Sequence, residues 1–166
     1  MLTHLGSAWA TLGATAVAAA WLLSQRQRME AGVLAATVVG GRLLNDGLKL
    51  LYDRPRPAFD AHPVLTSSSS FPSGHAANTM IAFVAIALAL TPARHRALAL
   101  NVAVIVAAAI GLSRPYLGVH WPSDVLGGWL LAAMVLLLSR IAQTSLCSPE
   151  EQHQVVGGHA TPIDRG

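Results

Sequence analysis

Apolar residues fall into five runs, approximately Leu5–Leu23, Ala31–Leu51, Ala76–Leu90, Ala97–Leu112 and Val125–Ser139, with polar residues gathered between them. About 20 apolar residues cross a bilayer as a helix, and lipid tolerates only segments that satisfy their own backbone hydrogen bonds. The pattern therefore predicts an all-α, multi-pass transmembrane helical bundle of about five spans. The third to fifth runs are short when only uncharged residues are counted, so their helices must take in flanking polar positions. The longest connection, Asp53–Phe71, contains prolines and the run Ser67 to Ser70, and is expected to be a polar, mobile loop. Residues 148–166 carry Gly157-Gly158 and no apolar period, which predicts a polar, disordered tail after one membrane domain of residues 1–147.

Composition sharpens this picture. The 166 residues are 53% hydrophobic and 11% charged, whereas soluble domains carry roughly 25% charged residues. The net charge of +3 does not indicate nucleic acid, because the eleven Lys and Arg residues are scattered in ones and twos with few aromatics beside them. One cysteine, Cys147, permits no internal disulfide and no thiolate metal cluster. The first run lacks the basic start of a secretory signal, and Arg26 and Arg28 follow it, so it is expected to be a retained span.

Arg26 and Arg28, Arg94 and Arg96, and Arg140 lie at ends that alternation of spans puts on one side. The positive-inside rule makes that side cytoplasmic, with the N-terminus outside and the C-terminus inside. Lys49, Arg54, Arg56 and Arg114 occupy the opposite ends and count against this orientation unless chemistry retains them.

Those opposite ends carry three polar clusters. In "KLLYDRPRP", Lys49 and Arg56 bracket a helix end enforced by Pro55 and Pro57. In "FPSGHAAN", Pro72 and Ser73 suit a helix start and Gly74 leaves the backbone open to close approach. A helix beginning there aims N–H groups and its positive dipole end outward, toward an anion such as phosphate, with His75 in its first turn. In "SRPYLGVHWPSD", Pro122 fits a helix start, His120 stands just before it and Asp124 lies in its first turn. The four-residue spacing lets the Asp124 carboxylate hold one nitrogen of His120, leaving the other as a base or nucleophile.

Taken singly, these residues have ordinary explanations. Basic residues at span ends snorkel to headgroups, a histidine at a helix start serves as a cap, and a first-turn aspartate complements the dipole. Their joint occurrence on one face points instead to phosphoryl transfer. Lys49, Arg56 and Arg114 neutralise the phosphate oxygens, His120 attacks phosphorus, and His75 protonates the leaving oxygen. This chemistry calls for no metal and no cofactor. Deeper in the second span, Arg42 and Asp46 are spaced to pair, while Asn45 and Lys49 share a face. Such intramembrane groups serve either structural pairing or support of Lys49.

The three clusters resemble the signature of the type-2 phosphatidic acid phosphatase and vanadium haloperoxidase superfamily. That signature has a lysine, six residues and Arg-Pro; then Pro-Ser-Gly-His; then Ser-Arg, five residues, His, three residues and Asp. Here it reads Lys49 to Arg56-Pro57, Pro72-Ser73-Gly74-His75, and Ser113-Arg114 to His120 and Asp124. The resemblance implies a phosphohistidine on His120 supported by Asp124, with His75 as general acid. It implies that Lys49, Arg56, Ser73, Gly74 and Arg114 hold the phosphate, and it leaves Arg54 as a rim candidate. Membrane members commonly have six spans, three of them before the lysine motif. Only two precede it here, so the expectation is either a start upstream of Met1 or a shortened form.

The expected function is a membrane lipid phosphatase acting on a lipid phosphomonoester or diphosphate, of the undecaprenyl diphosphate, phosphatidic acid or phosphatidylglycerol phosphate type. The expected setting is a bacterial inner membrane with the site on the extracytoplasmic face. Alternatives are a lipid phosphotransferase using the same histidine, a vanadate-holding haloperoxidase, which the spans disfavour, and a non-catalytic lipid-binding protein. The expected partners are the bilayer and its phosphorylated lipid, and the sequence sets no oligomeric state.

Overall fold

The computed structural model describes residues 6–57 and 69–146, and these contain five α-helices. They are α1 (Ala8–Ser24), α2 (Arg28–Tyr52), α3 (Gly74–Leu90), α4 (Ala93–Tyr116) and α5 (Pro122–Leu146). Each apolar run forms one helix, but α2, α4 and α5 extend past their runs into polar sequence. α4 continues through Arg114 and Pro115. Proline is tolerated there because only the last turn follows it, so little of the hydrogen-bond ladder is lost. The expected tail at 148–166 and most of the Ala58–Phe71 part of the connecting loop lie outside the described residues.

Why this is a membrane bundle follows from where the apolar residues point. α4 and α5 are each long and apolar enough to cross a bilayer, at about 1.5 Å per residue. Yet most of their apolar residues face outward rather than into a core. Leu98, Ile105, Leu130 and Leu137 are exposed, and on α1 and α2 Trp9 and Leu50 are each 86% exposed. Apolar surface on this scale is covered by lipid, not water. α1 and α3 are shorter apolar helices of 17 residues. α2 has 25 residues and carries Arg42, Asp46 and Lys49 in its second half.

Helix α3 is the centre, packing against each of the other four helices. Its sequence is rich in alanine, and Ala76, Ala77, Ile81 and Ala82 are fully buried, so neighbouring backbones approach closely. α5 meets this face through Gly128, where a Cβ would lie 2.8 Å from the Ser73 carbonyl oxygen and 3.1 Å from Ala77 N. At the far end of the bundle, Thr37 on α2 and Ser139 on α5 share a 2.7 Å hydrogen bond. Alternating helix directions bring the C-terminal ends of α2 and α4 and the N-terminal ends of α3 and α5 to one end of the bundle.

The Gly128 contact is testable. Gly128→Ala is expected to lower stability by about 1–3 kcal/mol, because the new methyl meets backbone that cannot move aside. Gly40→Ala meets nothing within 4 Å and should be neutral or slightly stabilising through helix propensity. Thermal unfolding of both variants in detergent checks this, and equal melting temperatures would remove the packing argument.

Candidate active site

At the shared end, Lys49, Arg56, Gly74, His75, Arg114 and His120 line one cavity of about 190 Å³. Five segments supply them. Lys49 comes from the last turn of α2, and Arg56 from the extended segment after Asp53, whose left-handed backbone (φ 33°) caps that helix. Gly74 and His75 open α3, behind Ser73 at its N-cap. Arg114 ends α4, and His120 lies in the short link to α5. The cavity also reaches Gly6, Arg42, Asp46 and Asn78.

The cations are fixed by backbone oxygens. Lys49 Nζ donates to Ser69 O at 2.7 Å, and Arg56 Nη1 donates to Val119 O at 2.8 Å. Arg56 Nη1 also stands 3.4 Å from His120 Nε2. A guanidinium can only donate, so this neighbour makes Nε2 the acceptor and leaves the proton on Nδ1. Arg114 is buried at 2% exposure, at the helix end where its charge suits the α4 dipole.

Asp124 is fully buried and has several partners. Its Oδ2 accepts from the Ser70 hydroxyl and, at 2.8 Å, from Trp121 N. Its Oδ1 accepts from Arg54 Nη1 at 2.8 Å. His120 Nδ1 lies 3.5 Å from Oδ2, long for a hydrogen bond but on the side the spacing indicates. The Asp124 main-chain oxygen accepts from Ser73 N at 2.9 Å, joining the starts of α3 and α5.

Burial is the largest influence on His120 and lowers its pKa to about 4. The charges of Arg56, Lys49 and Arg114 push the same way, against the raising effect of Asp124. Burial also lowers the pKa of Arg56, although an arginine stays protonated. The imidazole is therefore neutral near pH 7, with a lone pair on Nε2 in a cationic cavity. Around α3, the first helical bond is Ala77 N to Ser73 O, so the N–H groups of Gly74, His75 and Ala76 lie at the positive end of the helix. A Cβ at Gly74 would lie 3.3 Å from Asn45 Nδ2 and 3.7 Å from Lys49 Cε, which is the close approach expected there.

Seven of the eight sequence-derived site residues thus stand around the cavity or hold its histidine. Ser73 differs: its main-chain N–H is engaged by Asp124, and its buried Oγ finds no hydrogen-bond partner among the described residues. Arg42 and Asp46 do pair, at 3.8 Å. The sequence reading missed Ser70 and gave Arg54 only a rim position. The available signal for Arg54 was its place two residues before Arg56 in the same proline-flanked segment; nothing distinguished Ser70 from the serines preceding it.

Comparison with known proteins places the chain in a family. The PAP2 superfamily model matches residues 30–146. Phosphatidylglycerophosphatase B of Bacillus subtilis is 37% identical over 143 residues, covering 82% of this chain and 70% of that protein. Undecaprenyl-diphosphatase of Sulfolobus acidocaldarius is 31% identical over 128 residues, covering 74% of this chain and 60% of that protein. The crystal structure of the transmembrane PAP2 type phosphatidylglycerolphosphate phosphatase from Bacillus subtilis matches with a TM-score of 0.81 at 33% identity, over 87% of this chain and 74% of that one. With its helical membrane fold and this constellation, the chain belongs to the PAP2 superfamily, as a phosphoric ester hydrolase of its membrane branch.

Proposed function

We propose that this protein hydrolyses a lipid phosphomonoester or diphosphate through a phosphohistidine on His120. The observation that carries the reading is one cavity where Lys49, Arg56 and Arg114 meet two histidines, beside the Arg42–Asp46 pair, at the end of a lipid-facing bundle. Similar proteins are named for phosphatidylglycerophosphate and undecaprenyl diphosphate hydrolysis, and lipid phosphates of these kinds, or phosphatidic acid, suit a site at the membrane edge. The substrate tail stays in the bilayer while its phosphate enters the cavity. The distribution of arginines favours an extracytoplasmic site in a bacterial inner membrane, within one membrane domain of residues 1–147.

In the reaction, Lys49, Arg56 and Arg114 hold the phosphate oxygens, aided by the N–H groups at Gly74 and His75. Ser73 contributes by setting the start of α3. His120 Nε2 attacks phosphorus, the bond to the leaving oxygen breaks, and His75 gives that oxygen a proton. Nδ1–H remains directed at Asp124, which stabilises the positive charge developing on the ring. A water then attacks the phosphohistidine and passes a proton to His75. The P–N bond breaks, releasing phosphate and restoring both histidines.

The protein in detergent should release phosphate from at least one of dioctanoyl phosphatidic acid, phosphatidylglycerol phosphate and undecaprenyl diphosphate with a chelator present. His120→Ala should lower turnover by at least about a thousandfold. Quenching ³²P-labelled substrate in alkali should trap label on the wild-type protein alone; turnover by His120→Ala at the wild-type rate would exclude His120 as nucleophile.

The pH dependence has a defined sign. His120 attacks only when neutral, and its pKa lies below the ordinary 6.5, near about 4. The acid limb of kcat/KM should therefore fall near pH 4, with activity retained at pH 5.5. An acid limb at or above pH 6.5 would contradict the proposed state of His120.

A further inference from the structure

We propose that Arg54 is a positioning residue which acts through Asp124 to keep His120 neutral and correctly turned for attack. This inference rests on the reading of His120 as nucleophile. Arg54 Nη1 is 2.8 Å from Asp124 Oδ1, whereas His120 Nδ1 is 3.5 Å from Oδ2. The buried carboxylate therefore holds the arginine more closely than the histidine it orients.

Arg54 is itself held at both ends. Its main-chain N–H donates to Ser69 Oγ at 3.0 Å, and its carbonyl accepts from Ser70 N at 2.9 Å. At the other end, Nη1 also donates to Ser123 Oγ at 2.9 Å, and the guanidinium lies 5.8 Å from the centre of the Trp121 ring. The same backbone hydrogen bond between Ser70 and Arg54 accompanies delivery of the Ser70 hydroxyl to Asp124 Oδ2. These contacts form a clamp around the carboxylate on the side away from the cavity.

The physical reason for a clamp is the choice a buried carboxylate faces. Without a counter-ion of its own, Asp124 would draw a proton onto His120 and form an imidazolium–carboxylate pair. An imidazolium has no lone pair with which to attack phosphorus. Arg54 takes up part of the Asp124 charge, so enough remains to orient Nδ1–H and stabilise the phosphorylated ring, but not enough to protonate the resting histidine.

The other groups around His120 do not duplicate this role. Arg56 from the segment after α2, Lys49 on α2 and Arg114 on α4 face it from the cavity side, with His75 on α3 across the same cavity. Gly6 and the first residue of α1, Ala8, bring no charge, and Arg42 and Asp46 of α2, which also line the cavity, pair with each other. Arg54 does not line the cavity and reaches the histidine only through Asp124.

The test uses the full chain in detergent with dioctanoyl phosphatidic acid, comparing Arg54→Gln, Arg54→Met and Arg54→Lys for which a single helical species is verified. Either neutral variant should raise the acid limb of kcat/KM by roughly half to one pH unit and lower kcat about tenfold, with KM changed less than twofold. Arg54→Lys should return the limb to its wild-type position. An unshifted limb in a folded neutral variant, while His120→Ala is inactive, overturns the role of Arg54 alone. Wild-type turnover by His120→Ala overturns the nucleophile assignment and this inference with it.

Discussion

Like charges crowd one end of the bundle: Lys49, Arg56 and Arg114 share one small cavity, whose lining also includes the Arg42–Asp46 pair. At an effective dielectric constant near 20, two unit charges 4 Å apart repel by about 4 kcal/mol. The fold must hold these groups in place before an anion arrives. It does so with backbone carbonyls, Ser69 O for Lys49 and Val119 O for Arg56, and with burial of Arg114 at the end of α4. In the proposed reaction a phosphate would relieve the repulsion, and the further charge developed at phosphorus would be met by groups already oriented, with little reorganisation.

The bundle supplies the rigidity this requires. Four helix ends converge because helix directions alternate, and the alanine-rich face of α3 allows the other helices to pack closely around it. Gly128 lets α5 press against the first turn of α3, and the Ser73 N to Asp124 O bond fixes the two helix starts to each other. His75 and the His120–Asp124 couple are thereby set on one frame. The outward apolar side chains of the same helices place this frame in lipid, so the membrane surface and the cavity mouth are two aspects of one arrangement.

Much of this was legible in the sequence because length and hydrophobicity dictate spans, and because Pro72 and Pro122 mark helix starts. The helices ran further than the apolar runs, and the polar residues added at their ends include Arg114 and Asp124 of the candidate site. Residue chemistry singled out the basic residues and histidines that the fold gathers around one cavity, as arginine, lysine and histidine at span ends have few other uses in combination. Spacing could not say which way Arg54 turns, so a buried ion pair read as a rim charge. Ser70 was hidden in a serine run whose polarity suggested only a loop. Its significance comes from burial beside Asp124, which depends on contacts 54 residues apart.

The segment Arg54-Pro55-Arg56-Pro57 shows how two neighbouring arginines divide the work. Arg56 reaches His120 from the Nε2 side and Arg54 meets Asp124 behind Nδ1, so the imidazole is bracketed along its own proton-transfer axis. The prolines restrict the backbone of this segment, which helps both guanidinium groups keep their aim. The planar guanidinium of Arg54 directs Nη1 at a carboxylate and a hydroxyl together, donating to Asp124 Oδ1 and to Ser123 Oγ. Before attack the bracket disfavours a proton on the ring. In the proposed reaction the ring carries positive charge after attack, beside the phosphoryl oxygens and the Asp124 carboxylate. The same charges would then serve a neutral nucleophile first and a phosphorylated cationic one next, because the substrate brings negative charge of its own into the cavity.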